Sequence, residues 1–195
     1  MPRFTRTELE SFHGARVDDL IADPLRLLFV GINPGLWTAA VNAHFARPGN
    51  RFWPALHLAG ITPARIDASG GLRPADSDLL RRLGIGFTNL VPLASARADE
   101  LTLAQVRAGV RPLTELVRRF RPRVVAMLGI TAYRQAFEVR RATTGRQPVD
   151  LAGAQLWVLP NPSGLNAHET IDSLAVAYRD AAVAAGLTVH PRPLQ

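Results

Sequence analysis

Two short segments carry the residue types from which a site could be built. Gly31-Ile32-Asn33-Pro34-Gly35 and Pro160-Asn161-Pro162-Ser163-Gly164-Leu165 each set an asparagine beside proline and glycine. Glycine lets backbone N–H groups approach a ligand closely, and proline stiffens the turn that presents them. The asparagine carboxamide donates and accepts hydrogen bonds but is no general base, so its chemistry is orientation of a substrate or a water. Taken singly, each segment also reads as an ordinary turn, because Asn-Pro and Ser-Gly are common turn pairs. Other chemistries are excluded by what the 195 residues lack. All 23 basic residues are arginine and none is lysine, which removes a lysine-dependent phosphate loop and a Schiff-base lysine. There is no cysteine, hence no disulfide, Cys-based zinc site or iron–sulfur cluster. The five histidines are scattered and argue against a His-only metal site; no metal and no cofactor are expected.

The elements that must position these segments follow from the apolar pattern. Leu25–Gly31 (LRLLFVG) reads as a buried strand, entered by Asp23-Pro24 and stopped by glycine. Further strands are expected at Gly86–Val91, Arg123–Gly129 and Leu156–Pro160. Asn50–Ala59 reads as a helix with Asn50 as N-cap and Gly60 beyond its end. Ile61–Asp76, rich in Pro, Gly and Ala, reads as a loop. Leu103, Val106, Val110, Leu113, Leu116, Val117 and Phe120 recur at helical spacing despite Pro112. A helix through Tyr133 and Phe137 follows the third strand. The last helix shows Ile171, Leu174, Ala175, Tyr178 and Ala182 on one face, with Asn166 and Glu169 suiting its start and Gly186 its end. Alternating strands and helices imply a three-layer α/β/α fold around a short, mainly parallel sheet of about four strands. In such folds ligands bind beyond the carboxyl ends of the strands, where both Asn/Pro/Gly segments fall. The expected organisation is a polar leader over 1–16, one domain over 17–187 and a tail over 188–195.

The excess of basic over acidic residues, 23 against 16, gives a net charge of +7, and the sequence pI is about 11.3. That favours an anionic partner, nucleic acid first, although arginine in place of lysine is also what a GC-rich genome produces. The polar amino terminus predicts no secretory signal, and no apolar run approaches the roughly 20 residues of a membrane helix. The expectation is a monomeric, cytoplasmic protein of the bacterial nucleoid with no membrane contact.

GINPG, HFARPGNRFWPALHLAGI, GIGFTNLV and LPNPSGL, in that order, resemble the mismatch-specific uracil (thymine) DNA glycosylase family within the uracil-DNA glycosylase superfamily, over about Val17 to Ala185. The resemblance implies a monofunctional glycosylase that flips out and hydrolytically excises uracil and related damaged pyrimidines from double-stranded DNA containing G·U or similar lesions. It implies that Asn33 holds the water attacking the deoxyribose C1′ and that Phe45 stacks on the extruded base. Backbone groups around Ile32–Gly35 and Phe45 would bond the uracil edge. Gly164-Leu165 and the residues after them would fill the vacated stack and read the widowed guanine. Thr38 would stand where a pyrimidine 5-methyl goes, favouring uracil over thymine. Asn161 stands where the wider superfamily often has histidine, and with Ser163 it belongs to the base-binding set.

Other roles are open at this stage. Asp99 reads either as a helix-start carboxylate or as the base that Asn33 cannot provide. Asn166 reads as a guanine contact or as a helix cap. His168 replaces an arginine common in bacterial relatives or faces solvent. Arg47 and Arg51 flank the stacking segment and read as phosphate contacts, with Arg97 a further candidate beside Asp99. Arg118, Arg119, Arg121 and Arg123 precede the third strand and read as solvated surface at the far end of the sheet. Trp37, Trp53 and Trp157 read as packing residues. Two alternatives stand beside the main reading: a superfamily glycosylase for another deaminated base, and a non-catalytic DNA-lesion binder.

Overall fold

The computed structural model describes residues 3–164, 166, 167 and 169–191. Five strands, β1 (Leu27–Gly31), β2 (Ile85–Asn89), β3 (Val124–Leu128), β4 (Gly145–Leu151) and β5 (Ala154–Leu159), form one sheet in the order β2-β1-β3-β5-β4. β1 pairs in parallel with β2 and β3, and β3 in parallel with β5. Eight α-helices flank it among the described residues: α1 (Arg6–Glu10), α2 (Leu36–Ala40), α3 (Phe52–Leu58), α4 (Pro74–Leu83), α5 (Leu103–Ala108), α6 (Val110–Phe120), α7 (Ile130–Ala136) and α8 (Ile171–Ala184).

β1 and β3 are buried along their whole length because both sheet faces are covered there. From β1, Leu27 and Phe29 enter one core with Phe52, Leu80, Phe87 and Tyr178, under α3, α4 and α8. Leu28 and Val30 enter the other core with Val106, Leu113, Val117 and Tyr133, under α5, α6 and α7. This is the expected three-layer α/β/α arrangement.

The fifth strand, β4, is the one absent from the four expected. It is an antiparallel edge strand that turns into β5 through Ala152 and Gly153, both at positive φ. Most of its residues are exposed, it contains Pro148, and its register shifts between Arg146 and Asp150. Proline and bulges are tolerated at an edge, and they erase the apolar run that marks a buried strand.

The expected helix over 103–120 is two helices broken at Gly109, where an added Cβ would stand 2.1 Å from the Leu90 carbonyl oxygen. The break lets the helix pair close onto the chain leaving β2. Helix α3 begins one residue later than an Asn50 cap would place it, with Arg51 as N-cap, although Asn50 Oδ1 still accepts from the Phe52 N–H at 2.9 Å. The expected loop from Ile61 gives way to α4 at Pro74, proline being suited to a first helical position. Helix α8 is capped by Thr170 with Ser173 in a capping box rather than by Asn166. The polar 1–16 segment carries α1 and packs on the body: the Phe4 ring meets Trp37 edge-on at 5.0 Å, and the Gly14 N–H donates to the Ala94 carbonyl at 2.8 Å.

Candidate active site

The carboxyl ends of β1, β2, β3 and β5 surround a cavity of about 430 Å³, into which both Asn/Pro/Gly segments open. The loops leaving β1 and β2 are zipped together: the Leu90 and Val91 N–H groups donate to the Gly31 and Ile32 carbonyls, each at 2.9 Å, and the Ser95 N–H to the Pro34 carbonyl at 3.1 Å. Ile32–Gly35, Asn161–Ser163, Phe45, Thr38 and Asn89 all line it.

Asn33 is half-buried, and its amide nitrogen donates to Ser95 Oγ at 2.8 Å and to the Pro34 carbonyl at 3.1 Å. Ser95, 4% exposed, donates its own hydroxyl hydrogen to the Arg97 carbonyl at 2.7 Å. Its oxygen is therefore left to accept from Asn33, and the Asn33 amide can sit only one way round. Oδ1 is the end left to receive a hydrogen bond.

Phe45 has a left-handed backbone, φ 57°, an uncommon state for an aromatic residue that costs of order 1–3 kcal/mol and persists where surrounding contacts impose it. One face of its ring lies on Phe52, with centroids 4.1 Å apart and planes 23° from parallel. The half-buried ring also lines the cavity. Gly31 is required beside it: a Cβ there would lie 2.5 Å from Asn89 Oδ1 and 3.4 Å from Phe45 Cε1.

Asn89, the last residue of β2, faces the buried His44. Its amide nitrogen is 3.4 Å from His44 Nδ1, while His44 Nε2 is 3.1 Å from the Asp18 carbonyl oxygen. Burial holds the imidazole down at a pKa of about 4, against a smaller upward pull from that carbonyl. The ring is neutral near pH 7.

Arg51 gathers the loop after β5. Its guanidinium donates to the Ser163 and Glu169 carbonyls and, at 2.7 Å, to the Asn166 carbonyl, while its backbone N–H donates to the Pro162 carbonyl at 3.0 Å. Within the loop, Asn161 Oδ1 accepts from the Ser163 N–H at 2.9 Å, and Asn166 Nδ2 donates to the Asn161 carbonyl at 3.1 Å.

A family model described as the uracil DNA glycosylase superfamily matches residues 19–182. The chain belongs to the uracil DNA glycosylase superfamily. Its fold is similar to the solution NMR structure of a "putative Uracil DNA glycosylase" from Methanosarcina acetivorans, with TM-score 0.58 and 16% identity over 86% of this chain and 98% of that one.

In this superfamily member the residues singled out from sequence sort by where they lie. Asn33, Ile32, Gly35, Thr38, Phe45, Asn161, Ser163 and Asn166 meet at the cavity, Thr38 6% exposed on α2. Arg47 is exposed on the rim of the same cavity. Arg51 and Asp99 each have partners within the protein. The Arg51 guanidinium donates to the carbonyls of the loop after β5. Asp99, in the 3-10 turn Ala98–Glu100, is an exposed rim carboxylate paired with Arg97, whose guanidinium donates to both its oxygens at 3.0 and 2.5 Å. The hydrogen bond from Arg97 lowers its pKa, the opposite of what a general base near neutral pH requires. Gly164 is exposed at the tip of the loop, whereas Leu165 and His168 lie outside the described residues. Arg118, Arg119, Arg121 and Arg123 are exposed at the end of α6 and the start of β3, away from the cavity.

Sequence reasoning missed Ser95, Asn89 and His44. The GFTNLV and HF blocks contained the last two, but their roles lie in contacts across 45 residues. No cluster of three or more His, Asp or Glu that could hold a metal occurs among the described residues. No helix among them is long and apolar enough to cross a membrane.

Proposed function

We propose that this chain removes uracil and related damaged pyrimidines from mismatched double-stranded DNA, with Asn33 orienting the water that attacks C1′. The observation that carries this reading is the one-way Asn33 amide: Ser95 Oγ takes its nitrogen at 2.8 Å, and the oxygen remains to align a water beside the Phe45 ring. The target bond lies inside a duplex, so the nucleotide must be flipped, and a mispaired base costs less to extract. The open face of Phe45 supplies the stacking platform, worth about 1–3 kcal/mol per base by alanine substitution. Asn89 Oδ1 supplies an acceptor for the imide N–H of uracil.

As the bond breaks, the sugar gains oxocarbenium character and the departing base gains negative charge, which fixed N–H donors around Ile32–Gly35 would stabilise. A carboxamide takes no proton, so the usual acid–base gain of about 10²–10⁴-fold is missing. A slow enzyme follows, best on good leaving groups. Thr38 narrows the cavity and favours uracil over thymine, and Arg47 on the rim is placed for a backbone phosphate. Without lysine, the reaction has no side-chain amine for a lyase step and ends at the abasic site.

The test is single-turnover incubation with G·U, A·U, single-stranded U, G·T and hypoxanthine substrates, followed by alkali. Cleavage at G·U exceeding that at G·T, and strand breaks only after alkali, are expected. Binding to these duplexes without release of any base would overturn the proposal.

A further inference from the structure

His44 is the most deeply buried of the polar groups at the cavity, 2% exposed, and the reaction as derived does not use it. Its partners fix its tautomer by elimination. The Asp18 carbonyl can only accept, so the His44 Nε2 that faces it at 3.1 Å carries a hydrogen. A neutral ring then has a bare Nδ1, which can only accept. The Asn89 atom 3.4 Å away must therefore be the amide nitrogen. That orientation sends Asn89 Oδ1 to the opposite side, over Gly31, where no hydrogen is large enough to displace it but a Cβ would come within 2.5 Å. Among the described residues no hydrogen bond reaches this oxygen.

The anchor for the relay lies outside the cavity. Asp18 is held from both sides by Asn42, whose Oδ1 accepts from the Asp18 N–H at 2.9 Å and whose Nδ2 donates to Asp18 Oδ2 at 2.8 Å. Left alone, an amide at a strand end can turn over and exchange its donor for its acceptor. The cavity would then greet an imide N–H with another N–H.

We propose that His44 is a positioning residue that locks the Asn89 amide with its oxygen toward the cavity, so that the site selects a base offering an N–H donor and rejects one offering a bare ring nitrogen. The inference rests on the glycosylase reading for the identity of the base, but the lock itself is a property of the free protein. The burial that keeps the imidazole neutral also keeps Nδ1 an acceptor near pH 7. Sites built to hydrogen-bond one partner reject an analogue lacking it strongly, because the buried group is left unpaired.

Two measurements test it. In wild-type protein labelled with ¹⁵N, the His44 side-chain resonances should show a protonated Nε2 and a bare Nδ1 at pH 7. A protonated Nδ1 would overturn the lock. Second, single-turnover rates are compared for uracil and for 5-fluorocytosine, whose N3 carries no hydrogen, each opposite guanine. His44→Leu should lower the uracil-to-fluorocytosine ratio at least about tenfold, equivalent to about 1.4 kcal/mol, with affinity for an abasic-site duplex unchanged. His44→Asn, which returns an oxygen acceptor near the Nδ1 position, should recover part of the ratio. An unchanged ratio in His44→Leu, or equal losses in both variants, would overturn the proposal. If wild type releases no uracil, the glycosylase reading fails, and the tautomer alone decides the lock.

Discussion

Asn33 and Asn89 reach the same cavity, and each has its amide nitrogen committed elsewhere, to Ser95 Oγ at 2.8 Å and to His44 Nδ1 at 3.4 Å. Two carboxamides thus become two fixed acceptors, the form in which an uncharged side chain can align a water or read a base edge. For Asn33 the fixing partner can be removed cleanly. Ser95→Ala should lower the single-turnover excision rate about three- to tenfold, the range expected for one hydrogen bond of about 0.5–1.5 kcal/mol, without weakening DNA affinity. A wild-type rate in that variant would show that Ser95 does not orient Asn33. For His44 the signature is also thermodynamic. Burial holds the folded pKa at about 4, below the ordinary histidine value of 6.5. Between those values the unfolded chain binds a proton that the folded chain does not, so stability is present above pH 6.5 and falls as pH drops toward 4. The total is about 3 kcal/mol. Urea midpoints of wild type should therefore fall more steeply between pH 7 and 4.5 than those of His44→Leu; parallel curves would contradict a neutral buried imidazole.

At the scale of elements, the site is made by loops that strands and helices hold against one another. The chain after β1 is zipped to the chain after β2, and the loop after β5 is gathered by Arg51 at the start of α3. Arg51, bonded to loop carbonyls, and Arg47, exposed on the cavity rim, are close in sequence and give a paired prediction. Arg51→Ala should lower the excision rate and raise amide exchange over 162–169 while leaving the salt dependence of DNA binding unchanged. Arg47→Ala should reduce the slope of log affinity against log salt by about 1, as expected for one lost phosphate contact. A reversed pattern would mean that Arg51, not Arg47, faces the duplex. The same elements show what could be read from sequence. Buried strands such as β1 and β3 announce themselves as apolar runs between turn residues, and the loops after β1 and β5 carry asparagine, proline and glycine where a parallel sheet places ligands. β4 was hidden because an exposed edge strand with a proline has no such run. The partners of Arg51 could not be read from sequence, because they are carbonyls more than 100 residues away. Asn89 and Ser95 sit among ordinary neighbours, and only folding brings them to His44 and Asn33.

For the whole molecule, the arginines behind a net charge of +7 include groups at both ends of the strands. The arginines at the end of α6 and the start of β3 lie at the amino ends of the strands, away from the cavity at the carboxyl ends. Arg47 and the Asp99-paired Arg97 border that cavity. The missing lysine bears on the proposed reaction more than the arginine excess does, because it removes the side-chain amine a lyase step would need. The direct test is the single-turnover rate of uracil release from a G·U duplex by wild type and Asn33→Ala, with duplex affinity measured in parallel. The geometry predicts a fall of about 10²-fold or more with affinity retained, the scale seen when one preorganised polar group is removed from a reacting centre. A rate for Asn33→Ala within about threefold of wild type, less than one ordinary hydrogen bond's worth, would contradict it.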